Sequence, residues 1–367
     1  MESLFWVSLA VVAYVYAGYP ALLALWARVS GRPTRRRTHR DEAAWPAVSV
    51  VIAARNEGAR LPGRVANLLN QRYPGPLEVV VVSDGSTDGT AAALSRFPEN
   101  VRLVEVPAGG KPVALNAGVR AARGSILVFA DARQQFSPDA IRCLVENFDD
   151  PRVGGATGEL ILDCEHADPS DSTIGDGVGL YWKYEKWLRR HESLIRSTLG
   201  ATGAIYALRR ELWRPLPSAT LLDDVLAPMR AVLKGYRIVF DERARAFDRT
   251  SPHGPAESRR KVRTLAGNYQ ILALEPRLLI PFVNPVWVQY LSHKVGRLLV
   301  PWALLCILVA SVALASGAWF YTAALALQLA FYGLAGVGGW IESRERQSAS
   351  ATGRRDEIPV VLGKEAR

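Results

Sequence analysis

Polar and acidic side chains follow several short apolar segments of this sequence. Asn56 and Glu57 follow the first such segment, Asp84 the second and Asp131 the fourth. We expect these side chains to lie together, because the carboxyl ends of parallel strands form the edge of a sheet at which ligands bind. Carboxylates there suit a ribose, a base edge or a divalent cation. Taken singly, each is more often a helix cap or a turn residue, but together with Lys111 on a glycine loop they predict a nucleotide site.

A pair of acids, Asp223 and Asp224, stands at the start of another predicted helix. The structural alternative for such a pair is an ordinary acidic helix N-terminus, which the helix dipole favours. Without other motifs, this structural explanation of the pair is the preferred one. The chain has no G-x-G-x-x-G after its first strand and no Walker A sequence. This argues against a nicotinamide dehydrogenase and against a P-loop NTPase.

Strands and helices alternate through the middle of the chain, with short loops between them. The segment Leu77 to Val82 contains four consecutive valines, which is typical of a strand buried on both faces of a parallel sheet. Strands are predicted over 47–55, 77–82, 101–106, 125–130, 155–162 and 236–240, and a strand or turn over 201–208. Helices are predicted over 61–70, 90–96, 112–122, 138–148, 180–196, 222–234 and 259–274. The pattern predicts an α/β fold, with a mostly parallel sheet and helices on both faces.

Apolar residues are concentrated at the two ends of the chain. The segments 4–26, 298–316 and 318–341 are long enough to cross a hydrocarbon core of ~30 Å. The first lacks the basic start and the cleavage site of a signal peptide, which predicts a retained anchor. Several arginines between Arg28 and Arg40 follow it. The positive-inside rule therefore predicts an N-terminus outside the cell and a C-terminus in the cytoplasm, in the plasma or inner membrane.

The net charge of +10, from 45 Lys and Arg against 35 Asp and Glu, suits nucleic acid, a membrane surface or a phosphate-bearing substrate. The clustering of arginine beside apolar segments favours the membrane, and nucleic-acid binding is the more distant alternative. The three cysteines share no metal-ligand spacing. Neither a zinc site nor a disulfide framework is therefore predicted.

Six segments occur in an order that resembles the family 2 glycosyltransferases. This is the membrane-anchored superfamily that contains cellulose, hyaluronan and poly-N-acetylglucosamine synthases. The segments read VSVVIAARNE, VVVVSDGSTDGT, KPVALNAG, ILVFADA, GATGAIYALRR and LLDDV, and the similarity covers residues 47–268. The resemblance implies a GT-A fold, a UDP-sugar donor, inversion at the anomeric carbon and a divalent cation, Mg²⁺ or Mn²⁺.

The resemblance also implies roles for single residues where the motifs match. Glu57 would line the nucleoside pocket, and Asp84 would contact the uridine. Lys111 would lie close to the donor phosphates, and Asp131 would coordinate the metal that bridges the diphosphate. Asp224 would be the catalytic base, with Asp223 in place of the glutamate that often precedes it.

Two motifs depart from the family pattern. The D-x-D motif reads Asp131-Ala132-Arg133, so that an arginine replaces the second carboxylate. Arg133 is expected either to neutralise diphosphate charge directly or to weaken metal binding. The Q-x-x-R-W motif appears only as the segment 260–264, in which Arg260 and Arg263 supply cations for the pyrophosphate. The tryptophan that would support an acceptor sugar is missing, which argues against long-chain processive synthesis.

Aromatic residues precede the acid pair on a predicted amphipathic helix. Tyr181, Trp182, Tyr184 and Trp187 form either an acceptor platform, because aromatic faces stack on sugar rings, or a plain core stripe. The choice of acceptor is expected to depend on the loop 163–179, which contains no readable motif.

The predicted organisation follows from these assignments. It comprises a transmembrane helix over 1–27, a basic linker over 28–46, a cytoplasmic GT-A domain over 47–275, an interfacial segment over 276–297, a transmembrane hairpin over 298–341 and a polar tail over 342–367. We expect a transferase that moves a sugar from UDP to a hydroxyl of a lipid-linked or exopolysaccharide acceptor, in contact with membrane lipids and an export subunit. The alternatives are a processive β-linked polysaccharide synthase and a catalytically weak scaffold that binds nucleotide sugars.

Overall fold

The computed structural model describes residues 1–36, 45–94, 97–162, 172–248 and 255–351. The chain divides into two compact units. The smaller unit combines Met1–Val12 with Val300–Arg367, and the larger unit is Ala13–Leu299. Most of the predicted acceptor loop, residues 163–171, and the end of the predicted tail, residues 352–367, lie outside the described residues.

A mixed sheet of eight described strands forms the centre of the larger unit, in the order β3-β2-β1-β4-β7-β6-β8-β5. Its strands are β1 (Val48–Ala54), β2 (Leu77–Asp84), β3 (Val101–Val106), β4 (Ile126–Ala130), β5 (Gln135–Phe136), β6 (Val153–Leu162), β7 (Ile205–Arg209) and β8 (Arg237–Asp248). Strands β1 to β4 are parallel to one another. The order changes direction between β1 and β4, and ligands bind at such a point in open α/β sheets.

The valine run of β2 is buried on both faces of the sheet. Val79 and Val81 belong to one hydrophobic cluster, and Val80 and Val82 belong to another. Successive side chains of a strand point to opposite faces, so a strand covered on both sides needs an unbroken apolar run. This confirms the predicted α/β fold with helices on both faces.

The helices are longer or shorter than predicted by a few residues at each end. They are α1 (Glu2–Ala13), α2 (Tyr19–Ser30), α3 (Leu61–Leu69), α4 (Thr90–Leu94), α5 (Lys111–Ala121), α6 (Ala140–Val145), α7 (Ser172–Ile195), α8 (Asp223–Leu233), α9 (Pro255–Leu274), α10 (Trp287–Gln289), α11 (Gly296–Leu314) and α12 (Trp319–Ala351). Helix α5 lies close to the sheet because of Gly118, where an added Cβ would stand 2.5 Å from Val51. Its first residue is therefore fixed above the carboxyl ends of β1 and β2.

The described sheet is mixed, with four parallel strand pairs and three antiparallel ones. Strand β7 runs antiparallel to both β4 and β6, and β5 runs antiparallel to β8. Antiparallel pairing brings the start of β7 to the carboxyl end of β4, where Ile205 is opposite Ala130. The turn that precedes β7 is therefore placed beside the predicted ligand edge.

Within the described residues, three helical segments are long and apolar enough to cross a membrane: Glu2–Ser30, Trp287–Leu314 and Trp319–Trp340. The first two contain a π-helical turn, at Tyr14–Gly18 and Tyr290–Val295 respectively. The second segment begins about ten residues earlier than predicted, inside the region expected to be interfacial. Pro281 and Pro285 lie upstream of Trp287, so they interrupt the chain before this helix and not within its first turns.

Candidate active site

Asp84 at the end of β2 holds the glycine loop that leads into α5. Its carboxylate is buried and accepts hydrogen bonds from the N–H groups of Gly109, at 2.7 Å, and Gly110, at 3.0 Å. Gly110 has a φ of 85°, a conformation that favours glycine. Both carboxylate oxygens of Asp84 are thus engaged with the loop, so Asp84 fixes the position of Lys111. Its predicted contact with uridine stays a prediction.

The loops after β1 and β2 are joined to each other at the same edge. Asn56 has a φ of 56°, and its side-chain oxygen accepts the N–H of Thr87 at 2.9 Å. The N–H of Asn56 donates to Ser86 Oγ at 3.1 Å. Glu57 faces outward and pairs with Arg60 at 2.9 Å. These contacts form a rigid rim in which Glu57 is accessible to a ligand.

A lysine–carboxylate cluster of Lys111, Asp131, Asp223 and Asp224 lies at the carboxyl edge of the sheet. Lys111 Nζ is 3.0 Å from Asp131 Oδ1 and 3.6 Å from Asp223 Oδ2. Burial alone would lower the pKa of Lys111, but the negative charges of Asp223, Asp131 and Asp224 outweigh it and raise the pKa. Lys111 therefore carries a stable positive charge between the predicted metal ligand and the predicted acid pair.

The two acids at the start of α8 have different surroundings. Asp223 is buried, and burial, together with the charges of Asp224 and Asp131, raises its pKa to about 6 despite the opposing effect of Lys111. Asp224 is more accessible, and its Oδ2 accepts the N–H of Gly203 at 3.1 Å. The N–H of Ala201 also donates to the backbone oxygen of Asp224, at 2.7 Å. The turn before β7 thus orients Asp224, which is the arrangement that a general base needs.

Two residues of this region were not predicted from the sequence. Tyr206 on β7 is buried, stacks on Phe129 at 4.6 Å, and has a hydroxyl without a hydrogen-bond partner among the described residues. Burial, and then the charges of the cluster, raise its pKa. Arg64 on α3 is fully buried, and its Nε donates to the backbone oxygen of Asp131 at 3.2 Å. Its guanidinium also lies 4.1 Å from the ring centroid of Phe136.

The three arginines predicted to meet the pyrophosphate differ in their surroundings. Arg133 pairs with Asp248 of β8 at 3.0 Å, and Gln134 donates to the same carboxylate. Arg263 is exposed on α9, one helical turn before Gly267, which packs against Leu222 just ahead of the acid pair.

Helix α9 is also tied to the segment before α8 by side-chain contacts. The amide of Gln270 binds the backbone of Leu221 and of Ala219. The same helix carries Arg260, three residues before Arg263.

The aromatic residues of α7 divide between packing and exposure. Trp187 lies 4.0 Å from the His191 ring and packs in a cluster with Tyr19 and Leu23 of α2, and its predicted contact with an acceptor stays a prediction. Tyr181 is 55% exposed and Trp182 is half-buried, which leaves both available to an acceptor.

Comparison with known proteins accounts for this arrangement. Residues 49–212 match the profile of Glycosyl transferase family 2. This match covers less than half of the chain, and the segment is similar to the family 2 glycosyltransferases. It confirms the predicted resemblance and supports the prediction that the protein is a glycosyltransferase.

Relatives and a solved structure support the same assignment. The chain is 35% identical over 130 residues to an N-acetylglucosaminyltransferase of Rhizobium sp. (strain N33), covering 32% of this chain and 27% of that protein. It is 22% identical over 236 residues to the poly-beta-1,6-N-acetyl-D-glucosamine synthase of Staphylococcus aureus, covering 61% and 55%. The chain therefore spans about a quarter of the first relative and about half of the second.

The structural similarity extends along nearly the whole chain. The mannosyltransferase PcManGT from Pyrobaculum calidifontis, solved in complex with GDP-Man and Mn²⁺, superposes with a TM-score of 0.69 at 25% identity, covering 97% of this chain and 100% of that chain. The glycosyltransferase domain has the predicted GT-A fold.

Among its described residues, the glycosyltransferase domain offers a divalent cation a single carboxylate together with the donor phosphates. No group of three His, Cys, Asp or Glu side chains converges as a ligand set within the part of the chain that the structure describes. Asp131 offers one carboxylate, 36% exposed, beside Lys111. Magnesium is commonly bound by one or two carboxylates together with substrate phosphates and water. Asp131 therefore suits a cation that arrives with the donor diphosphate, and not a resident ion.

Proposed function

We propose that the chain is an inverting glycosyltransferase that moves a sugar from a UDP-sugar to a hydroxyl of a membrane-associated acceptor, with Asp224 as the general base. One observation carries this proposal. Lys111 lies between Asp131 and Asp223, so a cation for the leaving diphosphate stands next to an oriented carboxylate for the acceptor.

The reaction follows from these positions. The acceptor oxygen attacks the anomeric carbon on the face opposite UDP, and the bond from that carbon to the β-phosphate oxygen breaks. The acceptor proton passes to the carboxylate of Asp224, and the electron pair of the broken bond leaves with UDP. Lys111 stabilises the charge that develops on the diphosphate, with Arg260 and Arg263 as further cations from α9. When bound, a divalent cation held by Asp131 and the donor phosphates adds to this stabilisation.

The donor sugar to be tested first follows from the relatives. Two of them are named for N-acetylglucosamine, and the structural neighbour binds GDP-Man. UDP-N-acetylglucosamine is therefore the first donor to test, with GDP-mannose as the comparison for the nucleoside. Glu57 and Asp84 at the rim are proposed to select the base.

The membrane arrangement completes the proposal. The three apolar helices anchor the protein in the inner or plasma membrane, with the N-terminus outside and the glycosyltransferase domain in the cytoplasm. The acceptor is then a lipid-linked sugar or a growing exopolysaccharide, and an export subunit completes secretion of a polymer.

The test is nucleotide release by the detergent-purified full chain. Each donor is supplied with Mg²⁺, Mn²⁺ or EDTA, and Asp224→Asn is compared with wild type and with Glu211→Gln, an exposed carboxylate outside the site. We expect metal-dependent release from one donor, a loss of at least 100-fold in Asp224→Asn, as is typical when a general base is removed, and no change in Glu211→Gln. Full activity of Asp224→Asn would rule out its role as base.

The alternative functions give other results. Products of many sugars, formed without release between transfers, would identify a processive synthase despite the missing tryptophan. Binding of a nucleotide sugar without release under any metal would identify a scaffold. The pairing of Arg133 with Asp248 weakens the scaffold alternative, because this arginine is held by a carboxylate instead of replacing the metal.

A further inference from the structure

A second cavity lies beside the lysine–carboxylate cluster, within the larger unit. Its empty space of about 320 Å³ includes a part that is open to solvent, and the enclosed part is small. Its walls come from α7, from the turn before β7, from the start of α8 and from the membrane-spanning segment Trp287–Leu314. The lining residues are Glu185, Arg189, Glu192, Leu199, Gly200, Ala201, Val225, His293 and Lys294.

The carboxylates of this cavity are already engaged with other groups. Glu185 Oε1 lies 2.5 Å from Arg297 Nη1. Glu192 Oε1 accepts the Tyr19 hydroxyl at 2.8 Å and lies 2.7 Å from His293 Nδ1. Arg297 thus compensates the charge of Glu185, and Glu192 shares its Oε1 between a tyrosine hydroxyl and a histidine nitrogen.

The two cations of the cavity are less well compensated. Arg189 donates to the neutral hydroxyl of Thr202 at 2.6 Å, and no described carboxylate is within ion-pair distance of it. Lys294 is half-buried and forms none of the described salt bridges, although Glu185 and Glu192 lie near enough to act on its charge. A half-buried cation without a direct ion pair suits an anionic ligand.

The cavity shares one wall with the proposed catalytic base. Gly200 and Ala201 line the cavity, and the N–H groups of Ala201 and Gly203 donate to Asp224. Arg189 binds Thr202, which lies between them. A ligand held by Arg189 therefore stands a few residues from the carboxylate that accepts the acceptor proton.

The cavity also lies close to the expected level of the membrane surface. Lys294 is seven residues into the segment Trp287–Leu314, roughly 10 Å along the helix axis. The loop just before this segment exposes Ile280, Phe282 and Val283, and Phe282 is fully exposed at a φ of 67°. Exposed aliphatic and aromatic side chains at the end of a spanning helix are typical of the headgroup region.

We propose that this cavity binds the phosphate of a lipid-linked acceptor, with Arg189 and Lys294 as its cations, so that the sugar of that acceptor reaches Asp224. The proposal rests on the proposed function, and it narrows the acceptor to a phosphate-bearing lipid. A free oligosaccharide has no group that requires these charges.

The test is direct binding of radiolabelled farnesyl phosphate to the detergent-purified full chain, without donor. Competition by farnesol and by inorganic phosphate separates the lipid from the anion. The variants are Arg189→Gln, Lys294→Gln and the conservative Arg189→Lys, with Arg190→Gln as the control, an exposed arginine next to Arg189. Gel filtration and thermal unfolding verify that each variant is folded.

We expect both glutamine variants to bind farnesyl phosphate at least tenfold more weakly, with Arg189→Lys intermediate and Arg190→Gln unchanged. Equal binding by the folded glutamine variants would overturn the proposal. The proposal would also be overturned if farnesol competed as strongly as unlabelled farnesyl phosphate. Equally strong competition by inorganic phosphate would overturn it too, because that result would indicate a site for a free anion. Nucleotide release without acceptor, measured in the same samples, tests the proposed function separately.

Discussion

Asp223 and Asp224 are neighbours in sequence but have different tasks in the cluster. Asp223 is buried beside Lys111, and Asp224 is turned toward the loop before β7. A buried carboxylate next to a lysine holds that lysine in place only while it is ionised. The more accessible carboxylate is the one that an acceptor hydroxyl can reach. In the proposed reaction, Asp223 would therefore be a positioning residue and Asp224 the base.

This division predicts a pH dependence of the transfer rate. The pKa of Asp223 is raised to about 6, so the residue takes up a proton below that pH and weakens its hold on Lys111. The rate of nucleotide release by wild type should therefore decrease as the pH is lowered through about 6. Asp223→Asn is expected to be about tenfold slower and to show no such acid limb in its pH profile. Because the folded pKa is raised, folding takes up a proton between about pH 4 and 6, and stability falls as pH rises through that window.

The measurement is the pH profile of nucleotide release for both proteins, with thermal unfolding at each pH. An acid limb near pH 6 that persists in Asp223→Asn would assign the titration to another group.

Arg64 is a buried arginine whose unusual position can be seen in the sequence, whereas its contacts cannot. It occupies a position on the buried face of α3, between Leu61 and Val65, where a periodic pattern predicts an apolar side chain. The charge is accommodated by the Asp131 backbone, the Asn67 side chain and the Phe136 ring, all supplied by the fold. An arginine on an apolar face is a signal in the sequence, but its partners are not.

At the scale of elements, local patterns predicted most of the sheet. Strand β3 has the predicted bounds, Val101–Val106, and β2 extends two residues further than predicted. Strand β8 was predicted to end at 240 but runs to Asp248. Its second half alternates buried Ala244, Ala246 and Asp248 with exposed Arg243, Arg245 and Phe247, so its inner face contains no large apolar residue. The antiparallel entry of β7 depends on long-range pairing, which the sequence does not reveal.

One methyl group added in the turn before β7 is expected to lower the rate of nucleotide release strongly. A Cβ at Gly203 would stand 2.9 Å from Asp224 Oδ2, and the Gly203 N–H holds the same oxygen. Gly203→Ala should displace the base and reduce the rate of nucleotide release by roughly 10- to 100-fold, since displacements of about 1 Å have such effects. Gly63→Ala is the matched control, because nothing lies within 4 Å of its added Cβ. Equal rates for the two variants would show that the Gly203 contact does not orient Asp224.

At the scale of the whole molecule, helix α2 of the N-terminal apolar segment is structurally part of the larger unit. Tyr19 and Leu23 of α2 are buried against Leu188 and Ile195 of α7. The Tyr14 hydroxyl is 2.8 Å from Ser292 Oγ, and both residues stand in π-helical turns. Such turns are frequent at functional sites, because they reorient side chains locally. The anchor is thus joined to the helix that lines the proposed acceptor cavity.

This coupling predicts that the anchor stabilises the glycosyltransferase domain and its acceptor cavity. Tyr19→Phe removes the hydrogen bond to Glu192 and leaves a buried carboxylate oxygen less satisfied, which should cost about 1–3 kcal/mol of unfolding free energy. Tyr16→Phe is the control, because Tyr16 is 51% exposed and should change stability little. Thermal unfolding of the detergent-purified chains gives the comparison. If the two variants unfold at the same temperature, the helix is a membrane anchor alone and the Tyr19–Glu192 contact does not transmit stability to α7.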